Sequence, residues 1–189
     1  MPQIMQPFVR FKDEADTVGR LLLNYANLEV GLLHCVQMAS GSDFNAVLKS
    51  MFGKRGETGR INRAEQLGNP HFARHALIRD FHHALAVMRR CLEVRNQYAH
   101  WILWDDYTDK LAFANIESLA KLKRHVNNFD KLRRFHVNAT VLAEQEAYYI
   151  YCDKFTLWLN FEIRVRAGRL PKNMFLKPKR VKRPRLKLK

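Results

Sequence analysis

Apolar residues recur every three or four positions along four long stretches of the chain, which predicts four amphipathic helices. In the first, about Asp13 to Ala39, the stripe is Leu21, Tyr25, Leu28, Leu32 and Cys35. In the second, about Phe72 to Tyr98, it is Leu77, Phe81, Leu85, Met88 and Leu92, and the next position on it is Arg95. The third, about Ile116 to Phe135, turns Leu119, Leu122, Val126, Phe129 and Leu132 inward, and the fourth, about Ala139 to Ala167, Val141, Tyr148, Cys152, Phe155, Leu159 and Ile163. Between the first two, Asp43 is placed to cap a short helix over Phe44 to Met51, and a further one runs from Thr58 to Leu67. Gly68-Asn69-Pro70 reads as its stop, and Gly168 with Pro171 as the stop of the last helix. Around Asp105, Asp106 and Thr108, alternation over WILWDDYTDKLAFANI predicts a small β-hairpin.

Long helices with short connections predict an all-α fold, a four-helix up-down bundle carrying the short helices and the hairpin as insertions. A length of 189 residues fits one domain, and 47% hydrophobic residues suffice for its core. Residues 1–12 are expected as an N-terminal arm and 13–168 as the bundle. Charge changes the picture at the C-terminus. Arg164 to Lys189 holds twelve Lys or Arg and no acid; without them, 21 of the 33 basic residues remain against 18 acidic ones. The net +15 thus belongs mainly to a tail. Residues 169–189 are expected to be disordered, with Lys177, Lys179, Arg180, Lys182, Arg183 and Arg185 able to meet nucleic-acid phosphates. A solvated tail or an anionic lipid surface are the other readings of it.

Cys35, Cys91 and Cys152 are widely spaced and fall on apolar helical faces, as reduced core thiols of a cytoplasmic protein would. No CxxC pair suggests zinc, no run approaches a membrane span, and the N-terminus lacks a secretory signal. His71 and His75 are spaced to share a metal, but no HExxH pattern accompanies them, and no metal or other cofactor is expected. Arg60, Arg63 and Arg74 could line a basic cleft wall. Trp101 and Trp104 are read as packing residues, with base stacking as the alternative.

The chemistry-bearing segment is Glu93-Val94-Arg95-Asn96-Gln97-Tyr98-Ala99-His100-Trp101. Arg95 stands on an apolar stripe, where a charge is costly unless paired or part of a site. Glu29, near the stripe of the first helix, is one candidate partner. His100 follows five residues later, about 140° round a continuous helix, so convergence needs the helix to end near Tyr98 or a second copy of the chain. An arginine clamps phosphate oxygens, a histidine moves protons near neutral pH, and Asn96 could orient the histidine or bind phosphate.

Arg95, followed by Asn96, and His100 after four residues counted from Arg95, at the end of a long helix, resemble the Arg/His motif of the HEPN superfamily. The likeness extends to the expected bundle, roughly residues 13 to 168, but its specific part is this short motif. It implies a metal-independent endoribonuclease acting as a homodimer, with Arg95 and His100 from both subunits at one cleft, RNA as substrate, and a role as toxin or antiviral effector with a cognate antitoxin or regulatory partner. Some members of that superfamily have lost activity, so a non-catalytic nucleic-acid-binding or protein-interaction module is the alternative.

Overall fold

The structure is a computed structural model of the chain and describes residues 6–104, 106–121 and 132–188. It is mostly helical, with one small antiparallel sheet. In chain order the elements are α1 Gln6–Arg10, α2 Lys12–Ser40, α3 Phe44–Phe52, α4 Glu57–Arg74, α5 Ile78–His100, β1 Ile102–Trp104, β2 Leu111–Ala114, α6 Glu117–Ala120, β3 Arg134–Val137 and α7 Ala139–Arg166. They fall into two compact units. One comprises Met1–Leu23, Glu93–Ala147 and Arg183–Lys189; the other comprises Asn24–Leu92 and Tyr148–Lys182.

The purely helical unit is built on the expected stripes. Leu28, Leu32 and Cys35 of α2, Leu85 and Met88 of α5, and Phe155, Leu159 and Ile163 of α7 are all buried. Asp43 caps α3 as its sequence position suggests, its carboxylate accepting from the Ala46 N–H at 3.1 Å. The stop expected at Gly68 does not operate, since α4 continues through Pro70 to Arg74. The reason is packing. A Cβ on Gly68 would lie 2.4 Å from the Phe81 ring, so this glycine admits an aromatic side chain rather than ending a helix. Phe81 also stacks on Phe72 at 4.2 Å. Chain reversal comes later, at Ala76, which takes the left-handed φ of 55°. All three cysteines are buried thiols. Burial raises the Cys35 thiol, and burial with Cys152 alongside raises Cys91, so neither is poised as a thiolate.

The other unit contains the sheet. The predicted hairpin pairs β1 with β2, Ile102 opposite Ala114 and Trp104 opposite Ala112. A third strand adds to it, β3, with Leu111 opposite Val137 and Phe113 opposite Phe135. This corrects the expected third helix at its C-terminal end. The segment Arg134-Phe135-His136-Val137 pairs with β2, whose four residues are all buried and whose backbone polar groups need partners. The short α6 falls in the N-terminal part of that expected helix, while Leu122, Val126 and Phe129 lie outside the described residues. His136 and Asp106 join β3 to the hairpin turn at 2.6 Å. Burial works to raise the Asp106 carboxyl, but hydrogen bonds from His136 and Thr108 outweigh it and hold it below the usual range.

The C-terminal segment is the second correction: it is an ordered strap in both units. In the helical unit, Arg169 donates to the Met38 carbonyl at 2.7 Å and Asn173 to the Trp158 carbonyl at 3.1 Å. Lys177 pairs with Asp80 at 2.6 Å and lies over the Trp158 ring. In the sheet unit, the Gln97 and Gln145 side-chain amides donate to the Leu186 and Arg185 carbonyls, each at 2.8 Å. Arg183 pairs with Glu93, Arg185 with Glu144, and the Leu188 N–H donates to the His136 carbonyl at 2.7 Å. Composition foresaw an unpaired polycation; carboxylates far away in sequence meet three of its charges, and two buried glutamines satisfy its Arg185 and Leu186 carbonyls.

Candidate functional site

Helix α5 delivers the Arg95 motif to the sheet unit. Val94 and Tyr98 are buried, and Tyr98 is fixed by a hydrogen bond to Gln145 at 2.5 Å and by an edge contact with Phe113 at 5.0 Å. These anchors set the rotation of the last helical turns. Arg95 and Asn96 are consequently half-buried, while His100, the final residue of the helix, is exposed.

Arg95 and His100 meet within one chain, although α5 stays helical through His100 rather than ending near Tyr98. Arg95 Nη1 lies 3.5 Å from His100 Nε2 and donates to Asn96 Oδ1 at 3.1 Å. The long guanidinium side chain spans the angular gap, and His100 has no following helical turn to constrain it. With its proton on Nδ1 the imidazole would accept from the guanidinium at Nε2, which is the state a general base needs. Asn96 is thereby joined to Arg95.

An open cleft of about 390 Å³ lies beside these residues, lined by Glu93, Asn96, Gln97, His100, Trp101, Asn115, Glu117 and Leu186. Sequence reasoning singled out two of these for chemistry, Asn96 and His100. It read Trp101 as packing and left the other five unremarked. Asn115-x-Glu117 carried a readable signal, since Asn115 Oδ1 accepts from the Glu117 N–H at 2.9 Å and opens α6. Gln97 carried none, because its role depends on the strap: Nε2 holds Leu186, and Oε1, buried, has no hydrogen-bond partner among the described residues.

The remaining candidates divide by unit. Arg183 and Arg185 are in the sheet unit, engaged by Glu93 and Glu144. Lys177 is in the helical unit on Asp80, and Lys179, Arg180 and Lys182 are exposed there. Glu29 is also in the helical unit, buried, with an ion pair to Arg60 at 2.9 Å. Arg63 donates to Ser50 at 2.8 Å. Of the crowded histidines, His82 contacts Asn69 and His83 contacts Tyr151 at 2.7 Å. Among the described residues, no group of three or more His, Cys, Asp or Glu is arranged to hold a metal ion.

Comparison with protein-family models, curated proteins and solved structures gives no match to this chain. No described helix is long and apolar enough to cross a membrane.

Proposed function

We propose that the chain is a metal-independent endoribonuclease of the HEPN kind. The observation that carries this reading is the approach of Arg95 and His100 to 3.5 Å beside an open cleft. On this reading His100 Nε2 removes the proton from a ribose 2′-OH. The 2′-oxygen attacks phosphorus while the P–O5′ bond breaks, giving a 2′,3′-cyclic phosphate, and the departing 5′-oxygen takes up a proton. Arg95, held by Asn96, turns its fork to the phosphate oxygens and offsets the charge that develops on them. The arriving phosphate competes with His100 for Arg95, which leaves Nε2 available to the hydroxyl.

The wider reading includes the up-down arrangement of the long helices, a homodimer that brings a second Arg95 and His100 to the cleft, and a toxin or antiviral role under a regulatory or antitoxin partner. The second histidine would supply the proton to the leaving oxygen. A non-catalytic binding module is the second reading. It is favoured by the strap, because Leu186 takes up part of the cleft wall and Arg183 holds Glu93, also a lining residue.

The test is incubation of the purified full chain with varied single-stranded RNAs in EDTA, followed by analysis of the ends. Cleavage leaving 2′,3′-cyclic phosphates, with a DNA of the same sequence left intact, is the expected result. No cleavage of any RNA above that of His100→Ala would leave the binding-module reading.

A further inference from the structure

Trp101 occupies an unusual position for a residue with a packing role. It forms one wall of the cleft that His100 also lines, and it is only half-buried. Phe135 of β3 lies against it, ring centroids 5.1 Å apart and planes 35° from parallel. Phe135 is in turn flanked by cations: Lys187 Nζ lies 3.7 Å from its centroid and Arg133 Cζ 5.2 Å. A tryptophan at a cleft, packed on a second ring that two cations flank, offers both of the groups by which unpaired nucleotides are held. A base gains from the flat π surface, and a phosphate gains from the cations.

Two further observations agree. Burial and the nearby Arg133 charge both lower the Lys187 ammonium from its ordinary value, so an added anion at this place relieves a repulsion. The cleft is also bordered by three side-chain amides, Asn96, Gln97 and Asn115, groups that both donate and accept as base edges do. The buried Gln97 Oε1 lacks a partner among the described residues, so one acceptor at this border is unsatisfied.

We propose that Trp101 is the stacking platform of a nucleobase subsite, with Arg133 and Lys187 meeting the phosphate of the nucleotide stacked there. The ligand is an unpaired nucleotide within an RNA strand, because a base inside a duplex is already stacked and cannot reach the wall. The subsite sets which phosphate lies before His100, a role that rests on the ribonuclease reading; the binding itself does not.

The full chain carrying His100→Ala, which keeps RNA intact, is titrated with a single-stranded RNA oligomer, a duplex of the same sequence, and AMP, with tryptophan fluorescence as the readout. Single-stranded RNA should bind and quench, and duplex should bind more weakly. Trp101→Leu should weaken binding by about 5- to 100-fold. Arg133→Ala and Lys187→Ala should each weaken it and flatten its salt dependence. Equal affinity for duplex and single strand, or unchanged affinity in a folded Trp101→Leu protein, overturns the proposal. AMP binding as tightly as the oligomer assigns the site to free nucleotides and overturns the RNA part.

Should Trp101→Leu fail to fold, the decision passes to photo-crosslinking of a 5-iodouridine oligomer to the otherwise unaltered His100→Ala chain. Adducts on Trp101 support the subsite, and adducts only elsewhere sink it. The two readings fail separately. Cleavage indifferent to Trp101 removes the subsite and leaves the ribonuclease; Trp101-dependent binding by a wild-type chain that never cleaves does the reverse.

Discussion

Helix α5 carries His82 and His83 near its start and His100 at its end, and His83 and His100 meet opposite circumstances. His83 faces the helical core: Nε2 is bonded to the Tyr151 hydroxyl at 2.7 Å, and the ring meets Phe155 edge-on at 4.9 Å. Burial, and after it the Arg180 charge, lower its pKa from the ordinary value. His100, at the other end, is exposed on a cleft with a guanidinium 3.5 Å away. The same side chain on the same helix is thus packed and hydrogen-bonded in one unit and solvent-exposed at a cleft in the other. The difference arises because His83 shares its face with Phe155 and Tyr151, whereas α5 ends at His100. Arginines repeat the contrast. Arg60 is given to buried Glu29, while Arg95 sits with an amide and an imidazole at the cleft.

The largest expected effect lies at the cleft end. Arg95→Ala should lower RNA turnover by about 10² to 10³, and Arg95→Lys should be nearly as damaging, because lysine keeps the charge but loses the fork. Single-turnover rates measure both; a lysine variant close to wild type would reduce Arg95 to a point charge.

Gly68→Ala strikes the His83 end instead. Forcing Phe81 aside should cost about 1 to 3 kcal/mol in denaturant unfolding, with turnover per folded molecule unchanged. Unchanged stability would mean that α4 and Phe81 relax at no cost, against the close approach described above.

Removing residues 183–189 takes the Arg185 and Leu186 carbonyls from Gln97 and Gln145, and a loss of about 1 to 3 kcal/mol is expected. The same truncation opens the cleft wall at Leu186. If stability is indifferent to it, the strap is not part of the sheet unit's fold.

The smallest effect is pH-dependent. Because the folded His83 pKa is lowered, the unfolded chain takes up the proton first as pH falls. This contribution to stability is full above the ordinary imidazole value and is lost from there down to the lowered one. His71, lowered by burial and then by Arg74, acts in the same sense. Melting temperature should therefore fall as pH drops below the ordinary imidazole value, and His83→Gln should flatten part of that slope.

The stripes of α2, α5 and α7 and the Asp43 cap were legible because each depends on residues a few positions apart, and so was the hairpin. The true end of α4 was not, because the stop signal at Gly68-Asn69-Pro70 is overridden by Phe81, thirteen residues further on. The third strand was hidden for a similar reason: Arg134 and Phe135 look like the end of an amphipathic helix until β2 offers them a ladder. The strap was the largest miss. Its composition describes the charges of residues 169–189 and says nothing of Asp80, Glu93 and Glu144, which meet them. At the candidate site, the residue types were readable and the geometry was not. Angular spacing on an ideal helix argued against a meeting of Arg95 and His100 in one chain, and the reach of an arginine at a helix end allows it.

One paired measurement tests the division of labour along α5 most directly. His100→Ala and His83→Gln are compared with the wild-type chain for RNA cleavage in EDTA and for thermal unfolding. The account predicts that His100→Ala loses about 10² to 10⁴ in rate and keeps its melting temperature. His83→Gln should melt lower at neutral pH and cleave normally while folded. Cleavage by His100→Ala at the wild-type rate, or a collapse of its fold, would contradict the account.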